Sequence, residues 1–296
     1  MQLYPSDIRT REVLSWRGVH LIHFRFSACS QKLRIFLNLK QIEWESHHLN
    51  LARQQNYEDW FLGINPRGLV PVLVHNGDVH IESNDIIQYL EAQFPERPLI
   101  PAAQRAEITA GLKEEDDLHL DIRAITMGFL SPKALVTKND ERLRNYEQND
   151  GTLQGESDPH KAVELKFWQD FAANGVTEMQ ALEAARRFHT VYQRFDAALS
   201  GQAHLAGEDL TLLDIAWYIY TFRLKAAGYP FEQLHPRVDE WYARLARKPE
   251  FAREVAQPFA MNAAVKVLRG VQTMKQTRLV DIMRRGNLMT GATDAI

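Results

Sequence analysis

Three short segments in the first hundred residues carry groups able to do chemistry. Residues 18–24 read as a compact apolar strand, and from Ser30 onward the apolar positions fall at helical spacing. Between the two lie Ser27, Ala28, Cys29 and Ser30. The first turn of a helix offers orphan backbone N–H groups and the positive end of the helix dipole, which favour an anion. A cysteine placed there has its thiolate stabilised. The bland alternative is that Cys29 is a small buried hydrophobe. Ser27 and Ser30 favour chemistry, because either hydroxyl can donate to a thiolate. Lys32 stands where a Cys-x-x-Cys motif would put its second thiol, so any redox cycle must take that thiol from solution.

The second segment is Val70-Pro71, ahead of an apolar strand at 70–74. A proline that opens a strand marks either a plain turn-to-strand junction or a cis turn. In the cis case the N–H and C=O of Val70 are exposed for antiparallel pairing with a cysteinyl backbone. The third segment is Glu82-Ser83 at the start of a helix. Its N–H groups and the Ser83 hydroxyl suit a ligand carboxylate, while Glu82 can accept from an ammonium. Together the three suggest a domain that binds and activates a small thiol.

The elements that position these groups follow the order β-α-β-α-β-β-α and are complete by Pro95. A strand is expected over 42–51, with Trp44 and Leu49 as its apolar positions, and a short helix near 57–61 ended by Gly63. Asn76-Gly77 between 70–74 and 79–81 is a strong hairpin signal. Residues 86–94 repeat with helical spacing. Proline-rich 95–101 reads as a linker, and everything beyond is helical in period. One helix is expected over 104–127, a polar loop free to move over 149–160, and long helices over 177–199, 211–222 and 236–246. Thr211-Leu-Leu-Asp214 is a capping box. The divisions expected are an N-terminal extension (1–18), a thiol-binding domain (19–95), a linker (96–101), an all-helical domain (102–259) and a C-terminal helical extension (260–296).

At 296 residues the chain is long enough for two domains, and 45% apolar with 25% charged residues is ordinary globular composition. A net charge of -3 argues against a nucleic-acid partner. The single cysteine allows no internal disulfide and fits a reducing compartment. Residues 1–18 lack the apolar core of a signal peptide, and no run approaches the roughly 18 apolar residues a membrane span needs. A cytoplasmic protein with no integral membrane segment is expected. No metal-ligating set is read from the sequence.

Asn65-Pro66…Val70-Pro71, Glu82-Ser83-x-x-Ile86 and Gly207…Thr211-x-x-Asp214 occur in an order that resembles the cytosolic glutathione S-transferase superfamily. The resemblance covers about residues 19–255. Ser-Ala-Cys-Ser-Gln-Lys-Leu-Arg-Ile looks like the Ser-x-Cys-Ser motif of tetrachlorohydroquinone dehalogenases and of zeta-type members. The Asp59-Trp60-Phe61…Asn65-Pro66-Arg67-Gly68 stretch is similar to bacterial β-etherases.

The resemblance implies an α/β thioredoxin-like N-terminal domain followed by an all-α C-terminal domain, working as a homodimer with glutathione as co-substrate. Ser27 and Cys29 are the implied catalytic pair. Ser30, Gln55, Val70, Pro71, Glu82 and Ser83 are the implied glutathione contacts. His119, Arg123, Met127 and Phe129 line the implied pocket, between the domains, for a small hydrophobic electrophile, aromatic or halogenated. In the generic transferase scheme Ser27 activates the glutathione thiol in a detoxification reaction, and Cys29 is peripheral. Reductive dehalogenase, β-etherase and isomerase activities using Cys29 are alternatives. In the dehalogenase scheme Cys29 takes the sulfur from the adduct as a mixed disulfide, which a second glutathione resolves. A non-catalytic binding or scaffold protein on the same fold is a further alternative.

The Glu114–Asp117 cluster reads as a solvated helix face. Over 260–296 six basic residues face two acidic ones, and Val265, Leu268, Val271, Met274, Leu279, Ile282 and Met283 form an apolar stripe that suits a pocket lid, a dimer contact or a membrane-surface helix, packing on the protein itself being the favoured reading.

Overall fold

The computed structural model describes residues 1–289. The expected residues 290–296 of the C-terminal extension, Asp294 among them, lie outside the described residues. Two compact units are present. Unit 1 joins Met1–Arg97 with Thr137–Ala173, and unit 2 joins Pro98–Val136 with the chain from Asn174 onward.

Unit 1 begins with strand β1 (Val19–His23), helix α1 (Ala28–Lys40), strand β2 (Glu45–His48), helix α2 (Asp59–Leu62), strands β3 (Val72–His75) and β4 (Asp78–His80), and helix α3 (Ser83–Gln93). Among the described residues the strands form one sheet in the order β2-β1-β3-β4, with β1 parallel to β2 and antiparallel to β3. This is the thioredoxin-like arrangement expected. All five residues of β1 are buried, as a central strand covered on both faces requires. β2 is shorter than the expected 42–51 strand because it is the edge: only its inner side has a pairing partner, and its residues are polar. The hairpin turns on Asn76 and Gly77, both at positive φ (56° and 94°). A Cβ at Gly77 would stand 2.4 Å from the Leu14 carbonyl oxygen, so only glycine fits there.

Residues 1–18 are more than an extension. Leu3, Ile8 and Val13 are buried in the same core as Ile22, Val72 and Val74, and the Leu3 N–H donates to the Val79 carbonyl at 2.9 Å. The 149–160 loop, expected to be free, is pinned. Leu153 lies in that core, and the Asp7 carboxylate accepts from Thr152 Oγ1 (2.8 Å), Gln154 N–H (2.8 Å) and Gly155 N–H (3.0 Å).

The remaining helices are α4 (Arg105–Asp117), α5 (His119–Phe129), α6 (Lys133–Val136), α7 (Asp140–Gln148), α8 (His160–Asn174), α9 (Glu178–Ala198), α10 (Leu212–Ala227), α11 (Phe231–Leu234), α12 (Pro236–Leu245), α13 (Pro249–Val255), α14 (Phe259–Lys275) and α15 (Leu279–Arg285). Instead of a single helix over 104–127, Leu118 breaks the run, its N–H closing a tighter bond of 3.3 Å onto the Glu115 carbonyl. Where one contiguous helical domain over 102–259 was expected, α7 and most of α8 belong to unit 1. Tyr146 stacks on Tyr57 with centroids 5.0 Å apart, and Asn145 Nδ2 donates to the Tyr57 carbonyl at 2.7 Å.

Unit 2 is built around α10, thirteen of whose residues are buried. Its capping box is present. Asp214, fully buried, accepts from the Thr211 N–H at 2.9 Å, the Leu205 N–H at 3.0 Å and Trp241 Nε1 at 2.9 Å. Glu115 departs from the solvated face expected for its cluster and is 2% exposed. The tail stripe divides. Leu279, Ile282 and Met283 of α15 are buried, whereas Val271 and Met274 of α14 stay exposed. The α15 side is anchored on α9, with Leu182 against Gly286 and Arg285 paired to Glu178 at 2.6 Å.

Candidate functional site

The turn from β1 into α1 is closed by hydroxyls. Ser27 is the N-cap of α1 and its Oγ accepts from the Ser30 N–H at 3.3 Å. That bond uses a lone pair and leaves the Ser27 proton as a donor, for which no acceptor is found among the described residues. Ser30 is fully buried and its Oγ accepts from the Phe24 N–H at 3.4 Å, holding the turn. Cys29 is the second helical residue and is half-buried. Arg34 sits behind the turn, donating to the Arg25 carbonyl (2.9 Å), the Phe24 carbonyl (3.3 Å) and His23 Nδ1 (3.1 Å). This guanidinium fixes Phe24 and Arg25, shortly before Ser27.

The Val70-Pro71 peptide bond is cis. No described residue donates to the Val70 carbonyl or accepts from its N–H. Ile22 pairs with Val72 and Leu73 with His80, so the end of β1, the start of β3 and the end of β4 lie side by side. Glu82 and Ser83 follow directly. Ser83 is 8% exposed, and its hydroxyl has no hydrogen-bond partner among the described residues. The next residue, Asn84, accepts from Lys32 Nζ at 2.8 Å, which ties the opening of α3 to α1. The fold therefore brings Ser27, Cys29, Val70, Pro71, Glu82 and Ser83 to one end of the sheet.

Glu82 is already engaged. It sits at a positive φ of 65°, and one carboxylate oxygen accepts from Arg67 Nη1 at 2.6 Å. The same guanidinium holds Asp158 by two bonds, Nε to Oδ2 at 2.6 Å and Nη2 to Oδ1 at 3.0 Å. Burial pushes the Asp158 carboxyl up, but Arg67 outweighs it and holds the group below its usual 3.8. Beside it, burial and then Arg67 depress the His160 imidazole. Arg67, Asp158 and His160 escaped sequence reasoning. Arg67 stood in the sequence only as part of the Asn65-Pro66-Arg67-Gly68 stretch, with no role of its own.

Gln55 is half-buried, its side-chain carbonyl accepting from the Asn50 N–H at 2.7 Å while its amide nitrogen has no partner among the described residues. His119, Arg123, Met127 and Phe129 all lie on α5 of unit 2. The first three are half-buried and Phe129 is 7% exposed. His119 faces Arg123 Nη2 and the Tyr220 hydroxyl, each at 3.4 Å. A surface hollow of about 400 Å³ bordered by Arg9, Thr10, Asp59, Trp60 and Asn149 includes none of the candidate residues.

A family model described as glutathione S-transferase, N-terminal domain, matches residues 21–98, and one described as glutathione S-transferase, C-terminal domain, matches residues 160–249. The chain belongs to the glutathione S-transferase superfamily. Glutathione is the co-substrate of that family, and the sheet end just described falls within the N-terminal match.

Among relatives, Glutathione S-transferase 1 of Dianthus caryophyllus is 42% identical over 83 residues, 28% of this chain and 38% of that protein. A zeta-class glutathione S-transferase of Euphorbia esula is 45% identical over 80 residues, 27% of this chain and 35% of its own length. The chain thus spans little more than a third of either plant transferase. Protein LigF of Sphingobium sp. strain SYK-6 is 29% identical over 240 residues, 77% of this chain and 90% of LigF. The crystal structure of β-etherase LigF superposes with a TM-score of 0.67 at 27% identity, covering 80% of this chain and 98% of that one.

Proposed function

We propose that this chain is a glutathione transferase that activates the glutathione thiol for attack on a small hydrophobic electrophile. The observation that carries the reading is a set of three polar groups in unit 1 with no partner among the described residues: the Val70 backbone N–H and C=O, and the Ser83 hydroxyl at the start of α3. An extended cysteinyl backbone pairs with Val70. The γ-glutamyl carboxylate sits on the first N–H groups of α3 and the Ser83 hydroxyl. The free oxygen of Glu82 accepts from the γ-glutamyl ammonium. Gln55 offers its amide to the glycyl carboxylate. The sulfur then lies by Ser27 and Cys29, where the Ser27 proton and the helix dipole favour thiolate. That thiolate attacks an electrophilic carbon, a C–S bond forms, and the leaving group departs with the electron pair and takes up a proton.

The similarity to LigF along most of both chains supports a specific version, cleavage of an aryl ether. There the thiolate carbon–sulfur bond replaces a carbon–oxygen bond and a phenolate leaves. His119, Arg123, Met127 and Phe129 are assigned to the acceptor pocket. The family resemblance supports a homodimer, and a detoxification role is the corresponding reading. The single cysteine supports a cytoplasmic setting. No helix of the described residues is long and apolar enough to cross a membrane.

The test is turnover of glutathione with three acceptor classes: aryl ethers, halogenated quinols and maleyl compounds. Release of a phenol with stoichiometric thioether supports ether cleavage. Formation of oxidised glutathione with a dehalogenated product moves the reading to the Cys29 scheme. No turnover together with no glutathione binding favours the scaffold reading.

A further inference from the structure

At the other end of β1 from the thiol site, three side chains converge that belong to none of the motifs quoted above. The parallel register pairs His20 with Glu45 and Ile22 with His47. Side chains two apart on a strand share a face, so Glu45 and His47 flank His20 on one face of the sheet edge. His20 Nδ1 lies 3.1 Å from His47 Nε2 and 3.4 Å from Glu45 Oε2, and His47 Nε2 lies 3.6 Å from Glu45 Oε1. His20 is 7% exposed. Trp16 walls the group, its ring stacked on His47 at 4.2 Å and tilted against His20 at 4.9 Å.

With both imidazoles neutral, the cluster is one hydrogen short. His20 Nε2 is 2.7 Å from the Arg17 carbonyl oxygen, a contact only an N–H can make. Nδ1 of the neutral ring is therefore a lone pair, aimed at His47 and Glu45. If His47 donates its Nε2 proton to it, the nearby carboxylate faces two nitrogens with no hydrogen left to accept. A cation at the centre satisfies all three acceptors at once. The bond from the far nitrogen to a backbone carbonyl is the support that metal-ligating histidines use to fix tautomer and ring orientation. The spacing agrees. A tetrahedral ion with bonds of about 2.0–2.1 Å sets its ligand atoms roughly 3.4 Å apart.

We propose that His20, Glu45 and His47 form a binding site for a divalent late transition-metal ion, zinc being the natural probe, with water completing the tetrahedron. Two imidazoles and one carboxylate suit zinc, nickel or copper rather than calcium or magnesium, which take oxygen ligands. The ion cross-links β1 to the edge strand β2 and so anchors an edge paired on one side only. The three ligands are remote in sequence pattern, 25 and 27 residues apart across the sheet, which is why linear reading passes over them.

The full chain, stripped with a chelator and dialysed, is titrated with Zn2+ by calorimetry and by competition with a chromophoric chelator. One ion per chain is expected. His47→Gln and Glu45→Gln, both at positions that are not fully buried, are each expected to weaken binding tenfold or more while melting as the wild type does in chelator. Cys29→Ser is expected to bind unchanged, which separates the cluster from the only thiol. Cobalt substitution gives a second readout: an intense tetrahedral visible spectrum in the wild type that is lost in His47→Gln. Binding that survives both substitutions, binding lost in Cys29→Ser, or the absence of a one-to-one zinc complex overturns the proposal.

Discussion

Arg67 holds Asp158 by two parallel hydrogen bonds, 2.6 Å and 3.0 Å, across 91 residues of chain, while its third nitrogen holds Glu82 at 2.6 Å. A residue at the proposed ammonium position is thus oriented by the loop that follows α7. Arg67 is 15% and Asp158 12% exposed in their side chains, so the pair is partly shielded from water. Removing one partner of such a pair leaves the other charge unmatched.

Arg67→Ala is expected to lower stability by about 2–3 kcal/mol and to raise the KM for glutathione more than it lowers kcat. Arg67→Lys is expected to recover only part of this, because an ammonium cannot reproduce the two-pronged contact. Steady-state kinetics alongside urea unfolding checks both. An unchanged KM in Arg67→Ala would show that the orientation of Glu82 does not matter for binding.

Ser27 and Cys29 separate by substitution. Ser27→Ala is expected to cost about 1 kcal/mol of stability through the lost cap. It is also expected to cost about 100-fold in kcat through the lost donor to the thiolate, with the pKa of the bound thiol raised. Cys29→Ala is expected to turn over nearly normally in thioether formation. Accumulation of a glutathionyl adduct in Cys29→Ala, seen by mass spectrometry in single turnover, would instead assign the sulfur-transfer step to Cys29.

The 149–160 loop gives a stability prediction. Burial raises the Asp7 carboxyl, but the Thr152 hydroxyl and the N–H groups of Gly155, Gln154 and Tyr4 together bring it below 3.8. A carboxyl depressed on folding contributes stability above its unfolded value that is lost as pH falls through the folded one. Asp7→Ala is expected to destabilise by about 2 kcal/mol at neutral pH, since three loop donors lose their acceptor. The difference from wild type should shrink below pH 3.8. Equal melting of the two proteins at neutral pH would contradict the loop's dependence on Asp7.

His23 gives the opposite chemistry with the same sign. Burial first, then Arg34, His48 and His47, bring its pKa from 6.5 to about 3. The folded state refuses a proton that the unfolded chain accepts. Stability is therefore whole above pH 6.5 and falls toward pH 3, by about 1.4 kcal/mol per unit for this group. His23→Asn is expected to be less stable at pH 7 and to lose less on acidification to pH 4. Parallel pH profiles for the two proteins would remove His23 from the account.

Much of unit 1 was legible because its signals are local. The apolar run into Ser27, the Asn76-Gly77 turn and the Glu82-Ser83 helix start each depend on neighbours in the chain, and α10 announced itself by Thr211 and Asp214. What was hidden depends on contacts distant in sequence. The break at Leu118 leaves no proline or glycine to mark it. The return of 137–173 to unit 1 follows from Tyr146 meeting Tyr57 and Asp158 meeting Arg67, pairings that no periodicity encodes. β2 looked longer because Trp44 and Leu49 extend its apolar pattern beyond the four residues that pair with β1.

The most direct measurement is a thermal melt with and without millimolar glutathione on the wild type and on Ser83→Ala. A ligand that binds only the folded state stabilises it by about 2.7 kcal/mol at a hundredfold excess over Kd, roughly 4 °C in Tm for a protein of this size. That shift is expected in the wild type and is expected to be lost in Ser83→Ala, with both proteins melting alike when no glutathione is present. No shift in the wild type, or an equal shift in both, would contradict the assignment of the α3 N-terminus and the Val70 edge as the glutathione site.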